Sequence, residues 1–403
     1  MKNIKNIMIA FFLSEFGRAM YFVSITWILY RITNDPLYTG LLVGLGFLPG
    51  LILNLFFGIL VDRSNRKLLS VLATLISMAS MAILLLLLII NVVVPWIIIA
   101  VHMILQVAGS LFRPSIQAFI AEIFDKEQLP NVFSKTSSLA TLGGLLGSAF
   151  SGLIIGIVGT NVSMSIVTLS FLVSAVCLIT IDKSVISNED ERKIPDKKSI
   201  FLDLKEGFIY LNKNRFLFGL FIIMFNGQLV FHTSLGFLSV YTVEFLKRSS
   251  TVYGLLDATI SIGGVVAGLL GTWWWKKNNN KIATYSLFII VIGLVLMGLF
   301  KQLPFVFLGL FLIGLGTTWI RTLLQAVQQI ATDSNYHGRM ASLRMICNQG
   351  SVVVSGPILG WVAAGYGANF IYIGLLLPVS ICLIYALNQS KTVKFIEITK
   401  QSA

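Results

Sequence analysis

Five ionisable side chains lie inside long apolar stretches of the sequence: Glu15, Arg18, Arg113, Asp257 and Arg321. A charged group in hydrocarbon is costly, so such a residue usually faces a partner or a water-filled cavity. A carboxylate in that setting can exchange a proton, and a cationic group can attract an anion. All five residues are therefore candidates for proton transfer or ligand binding.

Glu15 and Arg113 have matching positions in their apolar stretches. Each lies eight residues from the predicted inner end of its stretch, which places it about 12 Å deep. Equal depth allows the two to pair, with Arg18, three residues from Glu15, as a local competitor. The pair is either a static structural contact or a carboxylate between two cations that acts as a proton or substrate switch.

Three further polar residues are candidates in the second half of the sequence. Asp257 has no basic residue near it in sequence, so as a buried carboxylate it would readily take up a proton; the alternative is exposure at a helix mouth. Asn226 and Gln228 can hydrogen-bond either a ligand or a neighbouring helix. We interpret His102 and His232 as packing residues.

The stretches that carry these residues are long enough to cross a membrane. Of the 403 residues 56% are hydrophobic and 12% are charged, which is more apolar than a soluble protein of this size requires. Windows of about 20 apolar residues predict an all-α membrane protein with twelve transmembrane helices. The predicted spans are 7–31, 37–61, 68–91, 96–121, 137–158, 162–182, 216–243, 252–275, 282–300, 303–328, 345–365 and 369–388.

The basic residues determine the predicted orientation. With the N-terminus inside, 23 of the 30 Lys and Arg residues fall in cytoplasmic segments, four in outer loops and three within spans. By the positive-inside rule both termini are cytoplasmic, and the net charge of +13 reflects membrane topology and not nucleic acid binding. The first apolar segment has no small-residue cleavage pattern, so we interpret it as the first span of a plasma-membrane protein.

The two halves of the sequence repeat. Arg113-x-x-x-Gln117-Ala118 recurs as Arg321-x-x-x-Gln325-Ala326 at an offset of 208, and Gly40-Leu41-Leu42 recurs as Gly254-Leu255-Leu256 at an offset of 214. Asp125 likewise recurs as Asp333. Such a repeat predicts two pseudo-symmetric six-helix bundles, residues 1–182 and 216–388. Residues 183–215 form a cytoplasmic linker with an amphipathic helix over 201–211, and residues 389–403 form a cytoplasmic tail.

Small residues recur in the fifth and eleventh predicted spans. Gly147 and Gly152 lie in the fifth span, and Gly356, Pro357 and Gly360 lie in the eleventh. Glycines permit close helix packing, and the proline adds a place where a helix can bend.

A short polar loop joins the second and third spans, with the sequence Gly58-Ile59-Leu60-Val61-Asp62-Arg63-Ser64-Asn65-Arg66-Lys67. Any basic cytoplasmic loop would share its charge. Its spacing, Gly-x-Leu-x-Asp-Arg-x-x-Arg-Lys, resembles the loop between helices 2 and 3 of the major facilitator superfamily of secondary transporters. Further stretches resemble the branch that holds macrolide efflux pumps and enterobactin exporters. These stretches are Phe112–Ser115, Leu129–Asn131, Asp203–Gly207 and Gly338–Ser342.

This resemblance implies a twelve-helix carrier driven by proton antiport. It also implies a conformational latch, in which Asp62 sits at the N-terminal end of helix 11 and Arg66 pairs with Glu122. Gly58, Arg63 and Lys67 belong to the same motif. Two positions depart from the pattern of antiporters: Ser148 stands where a proline is expected, and Leu105 stands where helix 4 usually has an arginine.

The sequence carries no nucleotide-binding glycine loop and no nucleophile with a matching base, so we expect neither ATP-driven transport nor an enzyme. The three scattered cysteines indicate neither a disulfide nor a metal site, and no cofactor is expected. We expect a monomer in contact with membrane lipids that exports an amphipathic small molecule, such as a macrolide-like drug, by alternating access in exchange for protons. A siderophore or another anionic metabolite is the alternative substrate. A lipid flippase and a non-transporting receptor are alternatives of another class.

Overall fold

A computed structural model of the chain describes residues 2–124, 127–181, 200–333 and 336–401. Every regular element in these ranges is helical. Twelve of the helical segments are long and apolar enough to cross a membrane, as predicted. The predicted linker residues 183–199 and Asp125 lie outside the described residues.

The first six long helices run from the N-terminus to Ile179. They are α1 (Lys2–Thr33), α2 (Pro36–Arg63), α3 (Arg66–Ile89), α4 (Pro95–Ile123), α5 (Leu129–Ile157) and α6 (Thr160–Ile179). Asparagine and proline residues mark where several of them begin. The Asn65 side chain accepts a hydrogen bond from the Leu68 backbone N–H at the start of α3, and prolines occupy the first turns of α4 and α5, where a missing N–H is harmless.

The second half begins with α7 (Ile200–Lys213) and α8 (Arg215–Gly236). The remaining helices are α9 (Leu238–Val240), α10 (Ser250–Leu269), α11 (Gly271–Asn278), α12 (Ile282–Leu299), α13 (Leu303–Ala331), α14 (His337–Tyr366), α15 (Phe370–Gln389) and α16 (Val393–Gln401). A π-helical turn, Tyr241–Phe245, follows α9, and a 3₁₀ turn, Asn279–Lys281, follows α11.

Two of the predicted spans are interrupted in the structure. The seventh, predicted over 216–243, is a continuous α-helix only to Gly236 and continues as short turns to Phe245. The eighth, predicted over 252–275, breaks between Leu269 and Gly271. Hydropathy does not respond to such breaks, because the residues on both sides of them are apolar.

The chain forms two compact units. Unit 1 comprises Met1–Asn34, Leu45–Lys197 and Ser249–Leu255, and unit 2 comprises Asp35–Gly44, Lys198–Arg248 and Leu256–Ala403. Residues 35–44 belong to unit 2 and residues 249–255 belong to unit 1, and each of these short segments contains a glycine that makes close contacts in that unit. Within unit 2, a Cβ on Gly356 would lie 2.7 Å from the carbonyl oxygen of Gly40, and within unit 1 a Cβ on Gly152 would lie 2.6 Å from the Cα of Gly254.

The predicted amphipathic helix is α7, and it packs on the start of α14. Glu206 and Arg339 form an ion pair of 2.9 Å, and the rings of Tyr210 and Tyr336 stack with centroids 4.1 Å apart. Phe208 on another face of the helix is exposed. The helix therefore has one face against α14 and one apolar face that suits a membrane surface.

Candidate functional site

An intramembrane charge cluster lies in unit 1, where α1 meets α4. Arg113 Nη2 donates to both carboxylate oxygens of Glu15, each at 3.1 Å. Arg18 Nε lies 3.8 Å from Glu15 Oε2. The structure thus brings together all three residues that the sequence places in this half.

The members of this cluster differ in exposure. The Arg113 side chain is 62% exposed, whereas that of Glu15 is 12% exposed. An exposed guanidinium group in the middle of a membrane helix is too costly to face lipid tails, so Arg113 must face water. Glu15 therefore sits behind Arg113, between a water-facing cation and Arg18, whose side chain is 21% exposed.

A glycine makes room for Arg18. A Cβ on Gly109 of α4 would overlap with Nη1 of Arg18. Because glycine has no Cβ, the Arg18 guanidinium group can lie against the α4 backbone and still reach Glu15. The cluster therefore depends on a residue that carries no charge.

The candidates in unit 2 make contacts of different kinds. Arg321 of α13 lies over the Phe231 ring of α8, 5.2 Å from its centroid. Gln228 Nε2 lies 2.8 Å from His232 Nε2, one turn further along α8. Asn226 instead donates to the Ile222 carbonyl in its own helix.

Asp257 lies in the second turn of α10. Its side chain is buried, with the residue 3% exposed. The predicted alternative, exposure at a helix mouth, is therefore wrong.

The residues of the loop between α2 and α3 make specific contacts in unit 1. Arg66 Nη1 lies 3.4 Å from Glu122 Oε2, so the expected pair is brought together. Lys67 Nζ donates to the carbonyls of Ile179 and Ile181, at 2.7 and 2.6 Å. Asp62 lies in the last turn of α2, and its side chain lies outside the described part of the structure.

The other two motif residues are on the surface. Arg63 is exposed. Gly58 is exposed as well, and no described atom lies within 4 Å of a Cβ built on it. Local packing in the described residues therefore does not require glycine at this position.

The predicted packing glycines make close backbone contacts. A Cβ on Gly147 would overlap with the Phe16 carbonyl oxygen, and a Cβ on Gly360 would lie 3.1 Å from the Cα of Gly40. Pro357 lies inside α14, and its Cδ would be 2.7 Å from a Cβ on Gly44. These residues act as packing sites between helices.

A family model described as Major Facilitator Superfamily matches residues 7–355. The chain belongs to the major facilitator superfamily. Together with the transporter relatives below, membership makes it a multi-pass membrane transporter of small molecules and not an enzyme.

Relatives of this superfamily member carry names related to efflux or transport. It is 21% identical to macrolide efflux protein A of Enterococcus faecalis over 302 residues, 74% of this chain and 93% of that protein. It is also 21% identical to the Staphyloferrin A transporter of Staphylococcus aureus over 369 residues, 88% of each chain.

A solved structure shares the fold of this superfamily member. The structure is that of a bacterial homologue of the human lysosomal transporter Spinster. It superposes with a TM-score of 0.74 at 13% identity, covering 99% of this chain and 96% of that one. At this identity the likeness shows the fold alone.

Several polar contacts of this superfamily member were not predicted from the sequence. Arg344 of α14 donates to Gln328 of α13 at 2.7 Å, but it lies one residue outside the predicted span. Tyr21 hydroxyl and His102 Nδ1 are 3.0 Å apart in unit 1. The one sequence feature that could have indicated this contact is the similar predicted depth of the two residues in their spans.

Proposed function

We propose that the chain exports an amphipathic small molecule by alternating access, in exchange for protons. The observation that carries this proposal is Glu15, a carboxylate held between Arg113 and Arg18 inside a membrane span. The efflux function in the name of macrolide efflux protein A supports the direction of transport. A macrolide-like drug is the substrate that this relative suggests.

Glu15 has the chemistry of a coupling site. With Glu15 ionised, the cluster of Glu15, Arg18 and Arg113 carries a net charge of +1; a proton on Glu15 raises it to +2 and weakens both contacts to Arg113. Exchange of that proton would therefore change both the charge and the freedom of a water-facing arginine. Asp257 in unit 2 is the second candidate carrier of a proton.

The loop between α2 and α3 is the proposed conformational latch. The Arg66–Glu122 pair and the contacts of Lys67 hold the loop to α4 and α6. Asp62 would be the part that engages and releases during transport, with Gly58 and Arg63 flanking it. The N-terminal end of a helix attracts an anion, which supports an aspartate in that role.

An anionic metabolite such as a siderophore is the second candidate substrate. Its support is the excess of positive charge in the unit 1 cluster, together with the name of the Staphyloferrin A transporter. We further propose that the protein is a monomer in a bacterial plasma membrane, in contact with lipids, with both termini in the cytoplasm. The distribution of basic residues supports that orientation.

Proton movement in inside-out vesicles tests the proposed function. The vesicles are energised and then challenged with macrolides, lipophilic cations, and carboxylate or catecholate siderophores. We expect one class to dissipate the pH gradient, and Glu15→Gln to abolish the response. Glu127→Gln removes a carboxylate from an exposed position beyond α4 and should respond as the wild type does. An unchanged response in Glu15→Gln would exclude Glu15 as the coupling residue, and no response to any class would refute antiport of these molecules.

A further inference from the structure

The short helix α11 lies between two helices that are each long enough to cross a membrane. α10 has 20 residues and α12 has 18, which corresponds to lengths of about 30 and about 27 Å. Either length matches the hydrocarbon core of a bilayer. α11 and the 3₁₀ turn after it therefore lie at the membrane surface, between the ends of two spans.

The three consecutive tryptophans of α11 have different surroundings. Trp274 stacks on Trp319 of α13, with ring centroids 4.0 Å apart, and Trp275 is buried. Trp273 is 50% exposed. The two inner indoles hold α11 against its neighbours, and Trp273 is left on the outer face. Exposed tryptophans at the end of a span are typical of the lipid headgroup region.

Two exposed lysines share the outer face of α11 with Trp273. Lys276 and Lys277 follow it by three and four residues, which is one helical turn. The Lys277 ammonium group lies 4.9 Å from the centroid of the Trp273 ring, a cation–π contact. Within the described residues, neither lysine forms an ion pair with a carboxylate.

Helix α16 extends this basic face. Asn280 donates a hydrogen bond to the Ser390 carbonyl at 2.7 Å, which joins the turn after α11 to the segment before α16. Phe395 of α16 is buried, so the helix is docked on unit 2. Three more lysines are exposed around this junction. We use the term α11–α16 surface for Trp273, Lys276, Lys277, Lys281, Lys391 and Lys394.

The corresponding part of the first repeat has a different charge pattern. At the offset of 214 residues that relates Gly40 to Gly254, Asp62 corresponds to Lys276 and Lys67 corresponds to Lys281. Lys67 donates to two carbonyls in unit 1. The Lys281 side chain is exposed and makes no polar contact within the described residues. The lysines of the second repeat are thus available to an anion from outside the protein.

We propose that the α11–α16 surface binds the headgroups of anionic phospholipids. Its five lysines and the neighbouring Glu397 carry a net charge of +4, which complements an anionic membrane surface. Each ammonium group can donate to phosphate oxygens, and the exposed indole of Trp273 favours a lipid over a soluble anion.

This inference goes beyond the proposed function, because it depends neither on the transported molecule nor on proton exchange. It uses the proposed orientation only to assign the surface to the cytoplasmic leaflet. Lipid binding can be measured in symmetric membranes without transport. A failure of the proposed function and a failure of this proposal are therefore distinguishable.

Quenching of Trp273 fluorescence by brominated lipids tests the proposal. The full-length protein is reconstituted in phosphatidylcholine vesicles that contain equal fractions of either brominated phosphatidylglycerol or brominated phosphatidylcholine. The Trp273 signal is the difference between each protein and the same protein carrying Trp273→Phe. At low salt we expect brominated phosphatidylglycerol to quench Trp273 more efficiently by a factor of about three or more.

The variants locate that preference for the anionic lipid. Replacing Lys276→Gln together with Lys277→Gln should remove the preference. Lys135→Gln is the matched control, since it removes an exposed lysine from α5 in unit 1 and should leave the preference at the wild-type value. The proposal is wrong if the wild type shows no preference or if the double variant keeps it.

Two measurements on the wild type remain decisive if the double variant does not fold. Raising the ionic strength from about 0.05 to about 0.5 M should reduce the preference for phosphatidylglycerol, because salt screens exposed charges; a preference that persists would contradict the proposal. Millimolar glycerol 3-phosphate at constant ionic strength should not change the preference. If it abolishes the preference, the surface is a site for soluble phosphate compounds and the lipid assignment is wrong.

Discussion

Gly152 of α5 and Gly254 of α10 meet backbone to backbone in unit 1. A Cβ on Gly254 would lie 2.7 Å from the Cα of Gly152. The repeated counterpart in unit 2 joins Gly40 of α2 to Gly356 of α14, where a Cβ on Gly356 would lie 2.8 Å from the Gly44 nitrogen. Both contacts bring a short segment of one sequence half into the unit formed mainly by the other.

We predict that Gly152→Ala destabilises the protein, whereas Gly144→Ala does not. The added methyl group at position 152 meets backbone that cannot move aside, and such overpacking costs about 1–3 kcal/mol. At Gly144, also in α5, no described atom lies within 4 Å of the new Cβ. There the change should be neutral or stabilising, because alanine favours helix by roughly 1 kcal/mol. Thermal unfolding of the two purified variants measures both changes in stability. Equal unfolding midpoints for the two variants would refute the close contact between Gly152 and Gly254.

The repeat in the sequence predicted that Gly40 and Gly254 are equivalent, but not what they touch. Their partners lie more than 100 residues away in the chain, and glycine is common in membrane helices. Only the rotation of each helix decides which glycine faces a neighbour. The sequence does not predict that rotation, because these helices carry apolar residues on all faces.

We predict that Gly109→Ala reduces transport with little change in stability. The new Cβ would overlap with the Arg18 guanidinium group, which can swing away because it ends a flexible side chain. Arg18 would then lose its position beside Glu15. We expect transport to fall about tenfold, equivalent to about 1.4 kcal/mol, with the unfolding midpoint nearly unchanged.

The matched control for that change is Gly350→Ala. Gly350 lies in α14, and no described atom is within 4 Å of the place that the new methyl group would occupy. Vesicle transport assays on both variants should separate them. If the two transport equally well, Arg18 has no role that depends on its contact with Glu15.

We predict that Lys67→Met destabilises unit 1. The Lys67 ammonium group donates to two carbonyls at and beyond the C-terminal end of α6, where a cation also interacts well with the helix dipole. Charge-assisted hydrogen bonds of this kind contribute about 1.5 kcal/mol. Lys135→Met is the control, since Lys135 is exposed on α5 and makes no polar contact within the described residues. Equal unfolding midpoints for the two variants would contradict this role.

The charged contacts were more predictable than the aromatic ones. Charges are rare in membrane spans, so the equal depth of Glu15 and Arg113 left few alternative partners, and the pair is present. Phe231 could not be singled out in the same way, because the sequence has 29 phenylalanines. Its place under Arg321 depends on how closely α8 and α13 pack.

We predict that Asp62→Asn slows transport while the protein still folds and inserts. The amide has the shape of the carboxylate but not its charge, so a latch that relies on attraction to a helix N-terminus would weaken. Transport in vesicles, normalised to the amount of inserted protein, measures the effect. Full activity of Asp62→Asn would remove the latch from the mechanism.

We predict that Tyr210→Phe weakens the attachment of α7 in a pH-dependent way. The Tyr210 hydroxyl donates to Asp333 Oδ2 at 3.1 Å and accepts from the Asp333 backbone N–H at 3.2 Å. Burial, together with the neighbouring Asp333 carboxylate, raises the pKa of Tyr210 above its ordinary value near 10. A raised pKa in the folded state means that the contact stabilises fully below about pH 10 and is lost as the pH rises through the folded-state pKa.

The unfolding midpoint of Tyr210→Phe should therefore lie below that of the wild type at pH 8, and the difference should shrink by pH 11. Tyr336→Phe is the matched control, because it keeps the ring stack and removes a hydroxyl that makes no hydrogen bond within the described residues. That variant should match the wild type at pH 8. A difference between the wild type and Tyr210→Phe that stays constant from pH 8 to pH 11 would show that the hydroxyl contact does not hold α7 in place.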